Sequence, residues 1–297
     1  MILIMADQVI PGVERWLQTN DQDSRIEHYM ATYQKWHDAI PEEIWPIAEQ
    51  MINCFEYYGH RRINAALAIL NSQLVDKFDV DSHTALFTYI NEKNGKLNSS
   101  HDYWGEFRII AQISKENCTD DLRKFASKYW ELVTCIVIVD DCCGSGNSLK
   151  TYIEESGLDF TGKVLYYLVI HAMDESRDLL ARVAAEQNMT IHLLSLNTSS
   201  KFFSTDMTEE KEHFIEKMNE LKIINNPLGF NDSEALIAFA NNTPNNTFPL
   251  FHKTTSKITA VFPRKEKQDN IWDSMKKGAK RRKAQNYSAL AREKANG

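Results

Sequence analysis

The stretch Cys135-Ile136-Val137-Ile138-Val139-Asp140-Asp141-Cys142-Cys143-Gly144-Ser145-Gly146-Asn147-Ser148-Leu149 decides how the chain is read. Ile136 to Val139 is a β-branched apolar run, the composition of a strand buried on both faces as in a parallel sheet. It stops at two adjacent carboxylates. Gly144 to Ser148 is a turn of small residues, and a helical pattern takes over at Leu149. Strand, acid pair, glycine turn and helix start, in that order, suit a sugar phosphate. Backbone N–H groups of the turn and the helix N-terminus would face a phosphate, and the Ser145 and Ser148 hydroxyls would add donors. Carboxylates at the strand's end would accept hydrogen bonds from vicinal ribose hydroxyls. The plainer alternative is a solvated acidic turn after a buried strand. The turn lacks the Gly-Lys-Ser/Thr ending of a P-loop. The dinucleotide fingerprint is excluded as well, because its acid lies on the following strand. Cys142 and Cys143 take apolar positions and read as core.

The order apolar run, Asp-Asp, two apolar residues, small residue, Ser, Gly, any residue, Ser runs without a gap over Val137 to Ser148. It resembles the motif by which type I phosphoribosyltransferases bind phosphoribosyl diphosphate (PRPP). The resemblance implies that Asp140 and Asp141 hold the ribose hydroxyls and serve catalysis, and that Gly144, Ser145, Gly146, Asn147 and Ser148 cradle the 5′-phosphate. It implies Mg²⁺ as well, reached by Asp140 and Asp141 through water. The reaction would displace pyrophosphate from C1 of PRPP by a nitrogen nucleophile. Bond breaking runs ahead of bond making, so the leaving group needs neutralising by Mg²⁺ and a Lys or Arg. Lys96, Ser99 and Ser100, with Arg108 behind them, are the pyrophosphate-side candidates; the alternative for them is an ordinary polar surface loop.

With 297 residues, 43% hydrophobic and 25% charged, the chain has ample core for one large domain or two small ones. The opening Met-Ile-Leu-Ile-Met is apolar for only five residues and no basic run precedes it. Secretion and membrane insertion are therefore not expected, and a cytoplasmic location is. Five cysteines, at 54, 118, 135, 142 and 143, lack zinc spacing and read as reduced thiols. The net charge of −7 hides an asymmetry. Eight basic residues from Lys276 to Lys294, against Glu293, give the last 22 residues +7, so the other 275 carry −14. Six of the eight residues from Lys276 to Lys283 are basic. That run suits the phosphates of a nucleic acid, or is simply a solvated terminal helix.

Along the chain, residues 10–78 read as helical, with Trp16, Tyr29, Tyr33, Trp36, Ile40, Ile44 and Ile47 on apolar faces, a turn at Ala39-Ile40-Pro41 and a break near Tyr58-Gly59-His60. Aromatics at that spacing are core. Arg61 and Arg62 read as surface residues at a helix start, with reach to a phosphate as the alternative. Thr84 to Ile90 reads as a strand, and Phe107 to Ile113 as a short strand or a helix. Asp120 to Trp130 reads as a helix, Lys163 to Ile170 as a strand, Asp174 to Gln187 as a helix, Thr190 to Leu196 as a strand and 206–222 as a charged helix. Strand–helix alternation with buried strands predicts a parallel α/β sheet whose ligand lies at the strands' carboxyl ends.

The block Leu228-Gly229-Phe230-Asn231-Asp232-Ser233-Glu234-Ala235-Leu236-Ile237-Ala238-Phe239 reads as an ordered loop with specific turns, as do Thr243-Pro244-Asn245-Asn246-Thr247-Phe248-Pro249-Leu250-Phe251 and Val261-Phe262-Pro263-Arg264. Together these segments resemble the phosphoribosyltransferase-like proteins of bacterial conflict systems, some of which accompany reverse transcriptases in retrons. With the aromatic N-terminus and the Gly95-Lys96…Tyr103…Phe107-Arg108 block, the resemblance covers roughly residues 12–264. One departure is Lys257-Ile258-Thr259, where the family pattern carries a tryptophan. The resemblance implies an α/β fold with a parallel sheet of the phosphoribosyltransferase type, an N-terminal helical segment and a C-terminal hood-like block. The expected organisation is a helical segment at 1–80, the α/β core at 81–205, the hood-like block at 206–264 and a basic tail at 265–297. In the hood, Asn245 and Asn246 would read a base edge and Arg264 would pair a phosphate; alternatively the Pro-Asn-Asn segment only builds a turn corner. Implied partners are PRPP or a phosphoribosyl nucleotide, a nucleic acid at the tail, and a reverse transcriptase or another conflict-system protein. The function classes left open are a nucleotide-directed effector enzyme and an inactive sensor or nucleic-acid-binding module.

Overall fold

The computed structural model of the chain describes residues 10–16, 23–91 and 99–264. The site belongs to the unit of residues 1–264; residues 265–297, the basic tail, form a second unit outside the described residues. The chain enters through α1 (Val13–Trp16) and α2 (Ser24–Ala39). Asp23 caps α2, its carboxylate accepting from the Arg25 N–H at 2.9 Å. Pro41 disfavours a helical residue before it, and Ile40 is extended at φ −78° and ψ 130°. Ile26, Tyr29, Tyr33 and Trp36 form the buried face, at the helical spacing expected of them. After α3 (Trp45–Cys54) comes a departure from the helical reading. Glu56–Tyr58 is a strand, β1, and Gly59 leads straight from it into α4 (His60–Phe78). Three residues are too few to show an alternating pattern in the sequence.

The main sheet is built from β2 (Leu86–Tyr89), β3 (Cys135–Cys143), β4 (Val164–Met173) and β5 (Thr190–Ser199), in that order and all parallel. Its crossovers carry α5 (Ser99–Ile110), α6 (Leu122–Tyr129), α7 (Asn147–Ser156) and α8 (Ser176–Glu186). The strands are buried on both faces, as the β-branched run predicts. Ile136, Ile138, Tyr167 and Val169 face a core with Leu122, Leu149, Ile153 and Leu180 of α6, α7 and α8. Val137, Val139, Leu168 and Ile170 face the opposite core, which includes Leu70 of α4 and Phe107 of α5. Phe107 to Ile110 closes α5, the helical one of its two alternatives. One expectation changes. β3 does not stop at Val139 but runs through the acid pair to Cys143, because Asp140, Cys142 and Cys143 still pair with Val169, His171 and Ala172 of β4.

Beyond α9 (Thr208–Glu220), the block read as turns contains β6 (Ile237–Phe239) and α10 (Pro249–His252). β6 pairs in parallel with β1, Glu56 opposite Ile237, so the N-terminal segment and the hood-like block share a two-stranded sheet. The Trp36 indole N–H donates to the Leu250 carbonyl at 2.8 Å across the same seam.

The turn at Gly229 fixes how this block folds back. Gly229 has φ +88°, and a Cβ there would lie 2.2 Å from the Asn246 carbonyl oxygen, a backbone atom with no room to yield. Gly229→Ala is expected to lower stability by about 3 kcal/mol, strain plus overpacking. Gly157→Ala, at φ +65° but with nothing within 4 Å of the added methyl, should cost only the left-handed penalty of about 1 kcal/mol. Urea unfolding of both variants checks this, and equal losses would remove the close approach as the cause.

Candidate phosphoribosyl site

Asp140 is 5% exposed and spends its carboxylate inside the protein. Oδ1 accepts from the Ser100 hydroxyl at 2.6 Å and from the Asp141 N–H at 2.8 Å, while Oδ2 accepts from the Tyr167 hydroxyl at 2.8 Å. A carboxylate has about four acceptor positions, so one remains for a ligand. The Asp141 Oδ1 accepts from the Cys142 N–H at 2.8 Å, and its charge is felt by Tyr103 of α5 and by Arg264. With these two N–H groups turned to side chains, the ladder passes from Asp140–Val169 directly to Cys142–His171. Burial, with Asp140 close by, drives the Tyr167 phenol far above its usual range, so it stays a donor.

Past β3, Gly144 to Gly146 turns the chain into α7. Gly146 adopts φ +81° and no side chain caps the helix, which leaves first-turn N–H groups for a ligand. Asn147 Nδ2 donates to Ser145 Oγ at 3.0 Å. Burial pushes the Cys143 thiol up to about 12 and the Cys142 thiol well up too; neither is a thiolate at neutral pH, in line with a core role. All five cysteines are unpaired.

The hood-like block closes over this turn. Asn245 and Asn246, with Phe230, line a cavity of about 50 Å³ against Gly144, Ser145, Gly146, Asn147 and Ser148. The Asn246 amide sits so close that a Cβ on Gly144 would be 2.1 Å from its Nδ2. The turn-corner alternative for the Asn pair is what the backbone shows. Their carbonyls build a corner, Asn245 accepting from the Phe230 N–H at 2.8 Å and Asn246 from Ser233 Oγ at 2.9 Å. The Asn246 side chain meanwhile covers the Gly144–Ser148 turn.

Two larger cavities flank the acid pair rather than contain it. One of about 670 Å³ shares Asn147, Ser148 and Phe230 with the small one and extends along Asn91, Asp120 and Arg123. Another, of about 560 Å³, lies at the carboxyl ends of β4 and β5, between Arg62, His171, Asn197, Ser199 and Lys201. Its wall is a fixed hydrogen-bond chain. The Asn197 amide satisfies its neighbours with Oδ1 facing the Tyr58 hydroxyl and Arg62, so Tyr58 donates to Asn197. Burial lowers the His171 pKa to about 4 and keeps the ring neutral. Its Nδ1 then donates to Tyr58 at 2.9 Å and its Nε2 accepts from Ser199 Oγ at 2.8 Å.

Of the pyrophosphate-side candidates, Ser100 is brought to Asp140 and Ser99 opens α5. Lys96 lies outside the described residues. Arg108 is exposed, about 12 Å farther along the helix from Ser100, and is not brought to the acid pair. Arg264 lies near Asp141 and donates to the Thr243 carbonyl at 2.7 Å. Nothing in the sequence singles out Tyr167, and Tyr103 stands out only as part of the family resemblance; the structure brings both to the acid pair.

The sequence profile of the PRTase-CE family matches residues 13–264. The chain belongs to the PRTase-CE family. Among solved structures, the Helicobacter pylori xanthine-guanine-hypoxanthine phosphoribosyltransferase is similar at 13% identity and a TM-score of 0.30, over 53% of this chain and 97% of that one. No curated protein matches the sequence. The PRTase-CE match spans the sheet, the Gly144–Ser148 turn and the hood-like block together. No helix among the described residues is long and apolar enough to cross a membrane.

The contact between Gly144 and Asn246 is testable without a ligand. Gly144→Ala should displace the amide and destabilise by about 1 kcal/mol or more, and Asn246→Ala in the same chain should recover most of that loss. A double-mutant cycle followed by thermal unfolding reads the coupling; strict additivity would mean the two residues do not touch.

Proposed function

We propose that this PRTase-CE protein binds PRPP or a 5′-phosphoribosyl nucleotide. The observation that carries the reading is that β3 delivers Asp140 and Asp141 straight into the Gly144–Ser148 turn at the start of α7, beneath Asn246. A ribose 5-phosphate laid along that line has its hydroxyls at the carboxylates and its phosphate at the turn and the helix N-terminus. Ser100 and Tyr167 orient Asp140. Among the described residues no group of three or more His, Cys, Asp or Glu could hold a metal by itself. That fits Mg²⁺ arriving on the diphosphate, held by ligand oxygens and water with Asp140 or Asp141 at its edge. Bound there, the ion supplies charge neutralisation of the leaving diphosphate.

The activity that follows is displacement of pyrophosphate at C1, with the acceptor beneath the hood-like block. The resemblance of that block to proteins of bacterial conflict systems supports an effector acting on nucleotides, in a retron-type or other antiviral setting beside a reverse transcriptase or similar partner. One observation favours the second reading, a phosphoribosyl-ligand sensor without turnover: three of Asp140's acceptor positions are already taken by the protein. Pyrophosphate release from PRPP with Mg²⁺, with and without nucleotides, separates the two.

Asp140→Asn together with Asp141→Asn should weaken ribose 5-phosphate and PRPP by at least about a hundredfold while circular dichroism stays native. Undiminished affinity of the folded double variant in calorimetry would refute the assignment. The tail carries a separate expectation. Deleting 276–297 should weaken binding to single-stranded nucleic acid and flatten its salt dependence, leaving the small ligand bound. A truncated chain with the same affinity and the same salt slope would leave the tail without this role.

A further inference from the structure

Arg25 is 8% exposed, yet its Nε and Nη1 have no hydrogen-bond partner. Only Nη2 is engaged, donating to Thr243 Oγ1 at 2.5 Å and to the Pro263 carbonyl at 3.1 Å. The guanidinium packs over the Phe262 ring at 5.9 Å. Burial lowers the Arg25 pKa, while Tyr57, Asp23 and Tyr103 act the other way; an arginine remains charged regardless. A desolvated cation with two unpaired nitrogens is costly, and packing alone gives no reason for it, since a methionine would fill the same volume.

The surroundings explain it better. Arg264 donates through Nη1 to the Thr243 carbonyl at 2.7 Å, so two guanidiniums hang on one threonine, one at its hydroxyl and one at its backbone. Arg264 feels the charge of Asp141. So does Tyr103, which is 1% exposed, and its hydroxyl also lacks a partner. Arg25 in turn feels Tyr103, closing the circuit Arg25–Thr243–Arg264–Asp141–Tyr103. The unmet groups of Arg25 are donors alone, and the Tyr103 hydroxyl has a proton to donate. Donors without acceptors, beside two positive charges, describe the half-site of an oxyanion. Charge-assisted bonds from guanidinium to phosphoryl oxygens are the strong pairing for such a set, and a tetrahedral group can take donors from several directions.

We propose that Arg25, Arg264 and Tyr103 receive a phosphoryl group beside Asp141. The inference rests on the phosphoribosyl reading of the Asp140–Ser148 site and adds a subsite supplied in part by α2, a helix outside the strand–turn–helix unit. The phosphoryl group belongs either to the diphosphate on C1 or to a phosphate carried by the acceptor. In the first case the guanidinium pair meets the negative charge that builds on the leaving group; in the second it places the acceptor.

The test uses the full chain and calorimetry with inorganic pyrophosphate, a nucleoside monophosphate and ribose 5-phosphate, each with Mg²⁺. Arg25→Gln should weaken pyrophosphate or the monophosphate by at least about tenfold, and Tyr103→Phe by about threefold, with ribose 5-phosphate unchanged. Whichever of the two ligands loses affinity identifies the source of the phosphoryl group. Arg25 also braces Thr243 and Pro263, so its replacement could disturb the fold. Tyr103→Phe removes a hydroxyl without a protein partner, keeps the fold, and decides on its own. If both variants bind pyrophosphate and the monophosphate as the parent does, while ribose 5-phosphate still binds, the subsite is overturned and the phosphoribosyl reading stands. A parent chain that binds ribose 5-phosphate but neither of the other two also overturns the subsite. One that binds none of the three overturns both readings.

Discussion

Phe262 is gripped by four aromatic rings from the other end of the chain, and the site depends on that grip. Trp16, Tyr29, Phe55 and Tyr57 lie with ring centroids 5.5, 5.1, 5.0 and 5.4 Å away, three of them stacked on it. Each such pair adds about 0.5–1.5 kcal/mol beyond the area it buries. Fixing Phe262 fixes the next two residues. The Pro263 carbonyl then meets Arg25, and Arg264 reaches back to Thr243. The parallel pairing of β1 with β6 works alongside it, and both contacts join residues about two hundred positions apart. Closing so long a loop costs entropy before any contact repays it, so these interactions form late and together. The arrangement around Asp141 is therefore a product of the completed fold rather than of any one segment.

The acid pair depends on a second constraint, a change of step in the strands that carry it. In regular alternation Cys142 would share a face with Ile138. Instead it packs with the core of Val137 and Val139, and Cys143 joins that of Ile136 and Ile138. β4 changes step in the same row: Ile170 and Met173 share one core, and Ala172 belongs to the other. The β4–β5 register likewise passes from Val169–Ser195 to His171–Asn197. Two strands shifting together keep their pairing, so the sheet survives. The aspartate side chains supply the acceptors that the interrupted ladder withholds from the Asp141 and Cys142 N–H groups. Carboxylates at these positions are part of how the strand bends, as well as what it offers a ligand.

This explains what the sequence could and could not show. The strand, turn and helix from Ile136 to Leu149 were legible because burial on two faces, small residues and a helical period each leave a local mark. The closeness of Asn246 to Gly144 was not legible, since no local pattern encodes a contact across a hundred residues. β1 and β6 were invisible because a three-residue strand has no period to detect. Arg25 did leave a trace. It stands four residues before Tyr29 and eight before Tyr33, on the apolar stripe of α2, where a cation is out of place. What the trace meant needed the positions of Thr243 and Tyr103, which come from distant parts of the chain.

A small cavity of about 50 Å³ lies over the Gly144–Ser148 turn, walled on one side by Asn245, Asn246 and Phe230. The backbone and the side chain of Asn246 differ in how firmly they are held there. The Asn246 carbonyl accepts from Ser233 Oγ at 2.9 Å and from the Ala235 N–H at 3.2 Å, and it is wedged against Gly229. Its backbone cannot retreat without undoing the turn at Gly229. The Asn246 side chain, by contrast, is held by a single 3.2 Å bond from Nδ2 to Ser233 Oγ. A net hydrogen bond of this kind is worth about 1 kcal/mol, and a phosphate oxygen can replace Ser233 as the acceptor for the same amide. Rotation of one side chain would therefore uncover the Gly144–Ser148 turn at small cost and leave its amide free to donate to an oxyanion there, while the hood-like block stays where Phe262 and β6 hold it.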